Sequence, residues 1–227
     1  MSSPIDRPKH LSPDYWHQRW LDGQTGWHHD QVNNHLQSHW DSLGVEPGSE
    51  VFVPLCGKSL DMAWLVQQGY SVLGVECSPM AVQEFFAEQN LTPVVSTQGE
   101  FESYKASGFH LLRGDVFKLT SEHLMGVTVV YDRAALVALD QPQRQRYARL
   151  LGDILPPDTS ILLVSMDYPK AEMQGPPHSV SEAEVRELFA DDFSITKLHT
   201  QDLMQDSDRY SDKGLSRMLE QVFHLDR

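Results

Sequence analysis

Three acids and an arginine carry the first hint of chemistry. Glu76 closes the apolar run Ser71-Val-Leu-Gly-Val-Glu76 and follows Gly57 by 19 positions. Gly57 lies in the turn Leu55-Cys-Gly-Lys58, directly after another apolar run, Glu50 to Leu55. In an open α/β sheet, ligands bind beyond the carboxyl ends of the strands, near the point where strand order reverses. A carboxylate there accepts hydrogen bonds and donates none, which suits the hydroxyls of a ribose. Asp115, in Arg113-Gly-Asp-Val-Phe117, ends a further strand and could meet the base of the same nucleoside. Asp132 and Arg133 end another. An arginine in that place can grip a carboxylate with two parallel bonds, whereas a buried charge pair would satisfy its own members. The same residues also fit plain turns and solvated strand ends, and pattern alone leaves both readings open.

The turn narrows the ligand. It holds Gly57 alone, so a pyrophosphate has little room to approach the backbone, and a nucleoside without phosphate fits better. The ending Gly57-Lys58-Ser59 has the form of a phosphate loop, but Phe52 stands where that motif needs its first glycine. His28 and His29 are adjacent and would point apart, with no third ligand at a sensible spacing, so no metal site is expected. Cys56 reads as a small buried residue rather than a nucleophile.

Alternating strands and helices must position these residues. Asp14 to Leu21 predicts a short helix with Trp16 and Trp20 on one face. Asn33 to Leu43 predicts another, stopped by Gly44. Then come strand 50–55, helix Leu60 to Gln68 capped by Gly69, strand 71–76, and a helix opened by Ser78-Pro79. This βαβα pattern implies parallel pairing. Glu100 to Lys105 and Phe109 to Leu112 predict a hairpin. Val127 to Tyr131 and Ser160 to Met166 read as buried strands, with a helix Gln143 to Ile154 between them. Ser181 and Glu184 form a capping box before a helix to Ala190, and Phe193–Leu198 and Met218–Leu225 read as terminal strands. The fold class is α/β, a three-layer Rossmann-like sandwich.

Composition bounds the function. The 227 residues favour one domain, and such a chain buries about 70% of its unfolded surface without staples. A net charge of -14 disfavours nucleic acid and anionic membranes. Two cysteines make no disulfide framework, and a reducing cytoplasm is the expected location. No apolar run is long enough to span a membrane. Residues 1–12 read as a flexible leader, 13–227 as one domain whose segment of about 13–45 forms a lid, and a monomer is the expected state.

The stretch Val53-Pro-Leu-Cys-Gly-Lys-Ser59, followed by Gly74-Val-Glu76, Gln83-Glu-Phe-Phe86 and Glu88-Gln-Asn90, resembles the thiopurine S-methyltransferases, most of all their bacterial branch. Trp16-His17 with Trp20, Asp132-Arg-Ala-Ala-Leu136 and Gly175-Pro-Pro177 extend the resemblance over nearly the whole chain. It implies a seven-stranded, mostly parallel sheet with an antiparallel last strand, and S-adenosyl-L-methionine as cofactor. It assigns the cofactor to Trp20, Leu55, Glu76 and Arg133, with Asp115 and Val116 flanking the adenine. Trp27 would face the substrate, and Arg209 falls near an arginine of the late loop.

The implied reaction is in-line methyl transfer to an aromatic or heterocyclic thiol, a small molecule, without an obligate general base. Arg133 and Asp132 are the electrostatic candidates. Alternatives on the same fold are methylation of selenium or tellurium species or of another small thiol. More distant rivals are a nicotinamide-dependent oxidoreductase and a non-catalytic nucleoside binder.

Overall fold

Five parallel strands form the centre of the molecule because their sequences are apolar on both faces, as a sheet covered by helices requires. The computed structural model describes residues 12–205, 210, 212 and 214–227. The strands are β1 (Glu50–Val53), β2 (Ser71–Glu76), β3 (Val94–Gln98), β4 (Phe101–Ala106), β5 (Phe109–Arg113), β6 (Val127–Arg133), β7 (Ser160–Asp167), β8 (Ser194–Asp202) and β9 (Leu219–Asp226). They join in one nine-stranded sheet, ordered β3-β4-β5-β2-β1-β6-β7-β9-β8. Strands β5, β2, β1, β6 and β7 pair in parallel, and β9 runs against both β7 and β8.

The seven strands from β5 to β8 form the expected mostly parallel sheet with a reversed last strand. The hairpin β3–β4 extends it to nine. The strand β3 was not anticipated, since all five of its residues are exposed and no buried face imprints an alternation on the sequence.

The helices are α1 (Pro13–Leu21), α2 (Asn34–His39), α3 (Leu60–Gln67), α4 (Pro79–Glu88), α5 (Gln141–Ile154) and α6 (Glu182–Phe189). The predicted helix Asn33 to Leu43 is α2 followed by a tighter 3-10 turn, Trp40–Leu43, which Gly44 ends at φ +65°. Residues of α2, α3 and α4 pack with Val51, Val53, Val129 and Tyr131 on one face of the sheet. Residues of α5 and α6 pack with Phe52, Val130 and Leu163 on the other. Neighbours along a strand thus belong to opposite layers. The order reverses at β1, between β2 and β6, so the ligand crevice of this sheet lies beyond the carboxyl end of β1.

Of the expected leader, residues 1–11 lie outside the described residues. Ser12 caps α1, its Oγ accepting the Tyr15 N–H at 3.2 Å. Among the described residues, no helix is long and apolar enough to cross a membrane.

Candidate active site

The chain leaves β1 through two left-handed residues, Leu55 at φ +46° and Gly57 at φ +53°. The first is a rare conformation for a non-glycine residue, of the kind that clusters at ligand sites. The turn aims the Gly57 N–H at Glu76 Oε2, 2.9 Å away. On the other oxygen, Glu76 Oε1 accepts the Ser78 N–H at 2.7 Å and the Cys77 thiol at 3.4 Å. Burial raises the Glu76 pKa, and these donors work against that rise. Both oxygens are therefore fixed in direction from the protein side, with lone-pair capacity left for a ligand.

The N-terminal segment packs over this turn. The N-terminal helix α1 is tied to the cap of α4 by His17 Nδ1 and Ser78 Oγ, 3.1 Å apart. Its Trp20 is buried, and the ring atom Cζ2 lies 3.0 Å from where a Cβ on Gly57 would stand. Trp27 meets Trp16 and Trp20 edge to face, with ring centres 5.3 and 5.8 Å away. The Arg19 guanidinium sits 5.5 Å from the Trp27 ring centre.

Across the crevice, β6 ends at Arg133, and Ala134 follows at φ +62°. Arg133 Nη1 lies 3.7 Å from Asp61 Oδ2. Asp61 is buried at the start of α3, where it also accepts the Tyr131 hydroxyl at 3.0 Å and the Asn33 N–H at 2.8 Å. One carboxylate thus holds strand β6, helix α3 and the segment before α2 together, and directs Arg133.

These elements enclose a cavity of about 190 Å3. Trp20, Trp27, Leu55, Glu76 and Arg133 all line it. A smaller cavity of about 30 Å3 shares Leu55 and Glu76 with it and is flanked by Asp115 and Val116. Asp115 Oδ1 accepts the Phe117 N–H at 3.0 Å, which fixes this second pocket's rim.

Asp132 is a correction. It alternates with Tyr131 and Arg133 along β6 and so points to the opposite face of the sheet. There it is buried, accepting the Tyr147 hydroxyl at 2.7 Å and the Leu136 N–H at 3.0 Å, and it lines neither cavity. Burial pushes its pKa up to about 6. It braces α5 against β6. Arg209 lies outside the described residues.

Asp61 and Glu220 went unnoticed in the sequence. Asp61 looks like any first-turn acid after a serine cap. Glu220 lines the larger cavity from β9. Its signal was an acid two positions before Val222, on the same face of a strand whose valine is buried.

The family model for thiopurine S-methyltransferase matches residues 11–227. The chain belongs to the thiopurine S-methyltransferase family. It is 45% identical over 217 residues to the thiopurine S-methyltransferase of Pseudomonas entomophila, covering 96% of this chain and all of that one. It is 46% identical to that of Nitrosospira multiformis, covering 95% and 98%. Among solved structures, the fold is similar to a 1,6-didemethyltoxoflavin-N1-methyltransferase from Burkholderia thailandensis with bound S-adenosylhomocysteine. That likeness has a TM-score of 0.64 at 15% identity, over 100% of this chain and 93% of the other. Magnesium protoporphyrin IX methyltransferase from Synechocystis, with bound S-adenosylmethionine, gives 0.60 at 20% identity, over 98% and 99%.

The cofactor of this methyltransferase family is S-adenosyl-L-methionine. The side chains present fit it. Hydrogen-bond acceptors stand at the Glu76 end of the cavity, a guanidinium at the Arg133 end, and indole rings beside them, where a sulfonium finds a favourable π face.

Proposed function

We propose that the chain methylates the sulfur of aromatic and heterocyclic thiols, with thiopurines as the representative substrates. One observation carries this reading. Glu76 and Arg133 flank the end of β1 and open into one cavity, whose far wall is apolar and built from Val164, Met166, Pro176 and Pro177. Glu76 and Arg133 would hold a donor, and the apolar wall suits an aromatic acceptor.

S-adenosyl-L-methionine supplies, when bound, a methyl group already activated on a sulfonium. The chain's own residues then have to align and exclude. Glu76 holds the ribose hydroxyls, Arg133 the methionine carboxylate, and Asp115 with Val116 flanks the adenine. Trp20 covers the cofactor, and Trp27 faces the acceptor. The lid shuts water from the reacting atoms, which serves a displacement that depends on alignment. A heteroaromatic thione or thiol is acidic and gives up its proton readily as the sulfur is methylated, so the transfer needs no strong base. The two cysteines are free, which suits a reducing cytoplasm, and we propose a monomer there.

Methyl-labelled cofactor offered with a panel of aromatic thiols, selenite-derived species and aliphatic thiols tests the reading. Labelled methyl thioethers of the aromatic members are expected. Label on selenium products alone would replace the acceptor, and no transfer to any member would end the proposal.

A further inference from the structure

The part of the cavity wall built from Val164, Met166, Pro176 and Pro177 is apolar, and β9 brings a carboxylate to it. Because β9 runs against β7, its first residues lie beside the carboxyl end of β7, and Glu220 pairs in register with Met166. Both line the cavity. The Glu220 side chain is only 15% exposed, and its Oε2 lies 3.0 Å from Nε2 of His35, a nearly buried residue of α2. Among the described residues, Glu220 Oε1 takes no hydrogen bond. A carboxylate so enclosed costs free energy that an apolar side chain would not, and a single histidine leaves half of its acceptor capacity unused.

We propose that Glu220, held by His35, reads the acceptor by taking a hydrogen bond from the ring N–H of a heteroaromatic thione and accepts that proton as the sulfur is methylated. The inference rests on the S-methylation reading above and narrows its substrate class. A neutral thione carries its proton on nitrogen beside the C=S carbon. As the thione sulfur forms its bond to the methyl group, the donor's sulfur–methyl bond breaks and that electron pair stays on the donor sulfur. The N–H bond pair moves to form C=N in place of C=S, and the proton passes to Glu220 Oε1 and then to water. A carboxylate accepts and cannot donate while ionised, so it favours acceptors with an N–H and disfavours those that arrive as anions without one. His35 is a positioning residue: it comes from the lid segment and fixes the carboxylate from behind.

The test compares kcat/KM for 6-mercaptopurine with that for thiophenol, which has no ring N–H, and measures S-adenosylhomocysteine affinity by calorimetry. In Glu220→Gln the ratio of the two kcat/KM values is expected to fall by about tenfold or more, with S-adenosylhomocysteine affinity within about twofold of the wild type. Glu220→Asp keeps the carboxylate one methylene shorter and recovers part of the ratio, and His35→Gln lowers it less than Glu220→Gln does. Should turnover of Glu220→Gln be too slow to read, 6-mercaptopurine binding to the S-adenosylhomocysteine complex is measured instead, and weakened binding is expected. A ratio or acceptor affinity unchanged from the wild type overturns the inference. So does a loss of S-adenosylhomocysteine affinity in both Glu220 variants, which would give the carboxylate to the cofactor or the fold. Failure of the wild-type enzyme to methylate either compound would instead overturn S-methylation itself.

Discussion

Glu76 accepts the amide hydrogen of Gly57 at 2.9 Å, so the carboxylate proposed to hold a ribose is also the brace of the turn that ends β1. On that proposal, ligand grip and local stability meet in one side chain. Glu76→Ala removes both and leaves the Gly57 and Ser78 N–H groups without their acceptor. The expected result is a loss of about 1–3 kcal/mol of unfolding free energy for each donor that water does not reach. Cofactor affinity should fall in the same variant by about tenfold or more. Urea unfolding and calorimetry read the two effects separately. Unchanged cofactor affinity would remove the ribose assignment and leave the brace.

Gly57 and Trp20 form a steric pair across the lid. A Cβ at Gly57 would stand 3.0 Å from Trp20 Cζ2, on a backbone at φ +53°. Gly57→Ala is therefore expected to destabilise by about 1 kcal/mol or more from the backbone conformation alone, with the contact added to it. Trp20→Ala relieves the contact and leaves the backbone cost. The double variant should be more stable than the sum of the single losses implies, and strict additivity would show that the ring does not press on the turn. Trp20→Ala should also weaken cofactor binding, which calorimetry reads directly.

The parallel centre of the fold was legible because β1, β2, β6 and β7 write burial on both faces as unbroken apolar runs. The placement of Glu76, Leu55 and Arg133 beside one cavity was legible for a related reason: a strand's carboxyl end is a place that sequence can locate. Two kinds of feature were not. Strand β3 is exposed on both faces and carries no pattern. Asp61 meets Tyr131 and Arg133 across some 70 positions of sequence, and such a pairing leaves no local mark on either side. Asp132 shows the finer limit. Its place at the end of β6 was plain, but the face it takes depends on pleat register, and a one-residue difference turns a ligand group into a core group.

The link from Asp61 to Arg133 should appear in the kinetics. Asp61→Asn keeps the shape of the side chain and removes the charge that directs the guanidinium. Cofactor KM is expected to rise severalfold with a smaller change in kcat, since the lost interaction serves binding in the ground state. Arg133→Lys should raise it further, because an ammonium cannot make the paired bonds of a guanidinium to a carboxylate. Initial rates at saturating acceptor read both. Equal KM values in Asp61→Asn and the wild type would show that Arg133 is directed by something else.

Asp132 gives the protein a stability that depends on pH. Its folded pKa stands at about 6 because burial penalises the charged form, above the ordinary aspartate value of 3.8. A carboxyl group raised in this way contributes its stability in full below the unfolded pKa and loses it as pH rises through the folded one. Asp132→Asn cannot titrate, so the difference between wild type and variant isolates the effect. The wild type should gain stability relative to the variant as the pH is lowered from 7.5 to about 5.5, still above the isoelectric point near 5.1. The asparagine is expected to cost stability at both pH values, because its amide cannot present two acceptor oxygens to Tyr147 and Leu136. Urea unfolding of both proteins at the two pH values measures it. A difference that stays constant with pH would show that the Asp132 carboxyl titrates alike in the folded and unfolded chains, and that Tyr147 and Leu136 offset the cost of its burial completely.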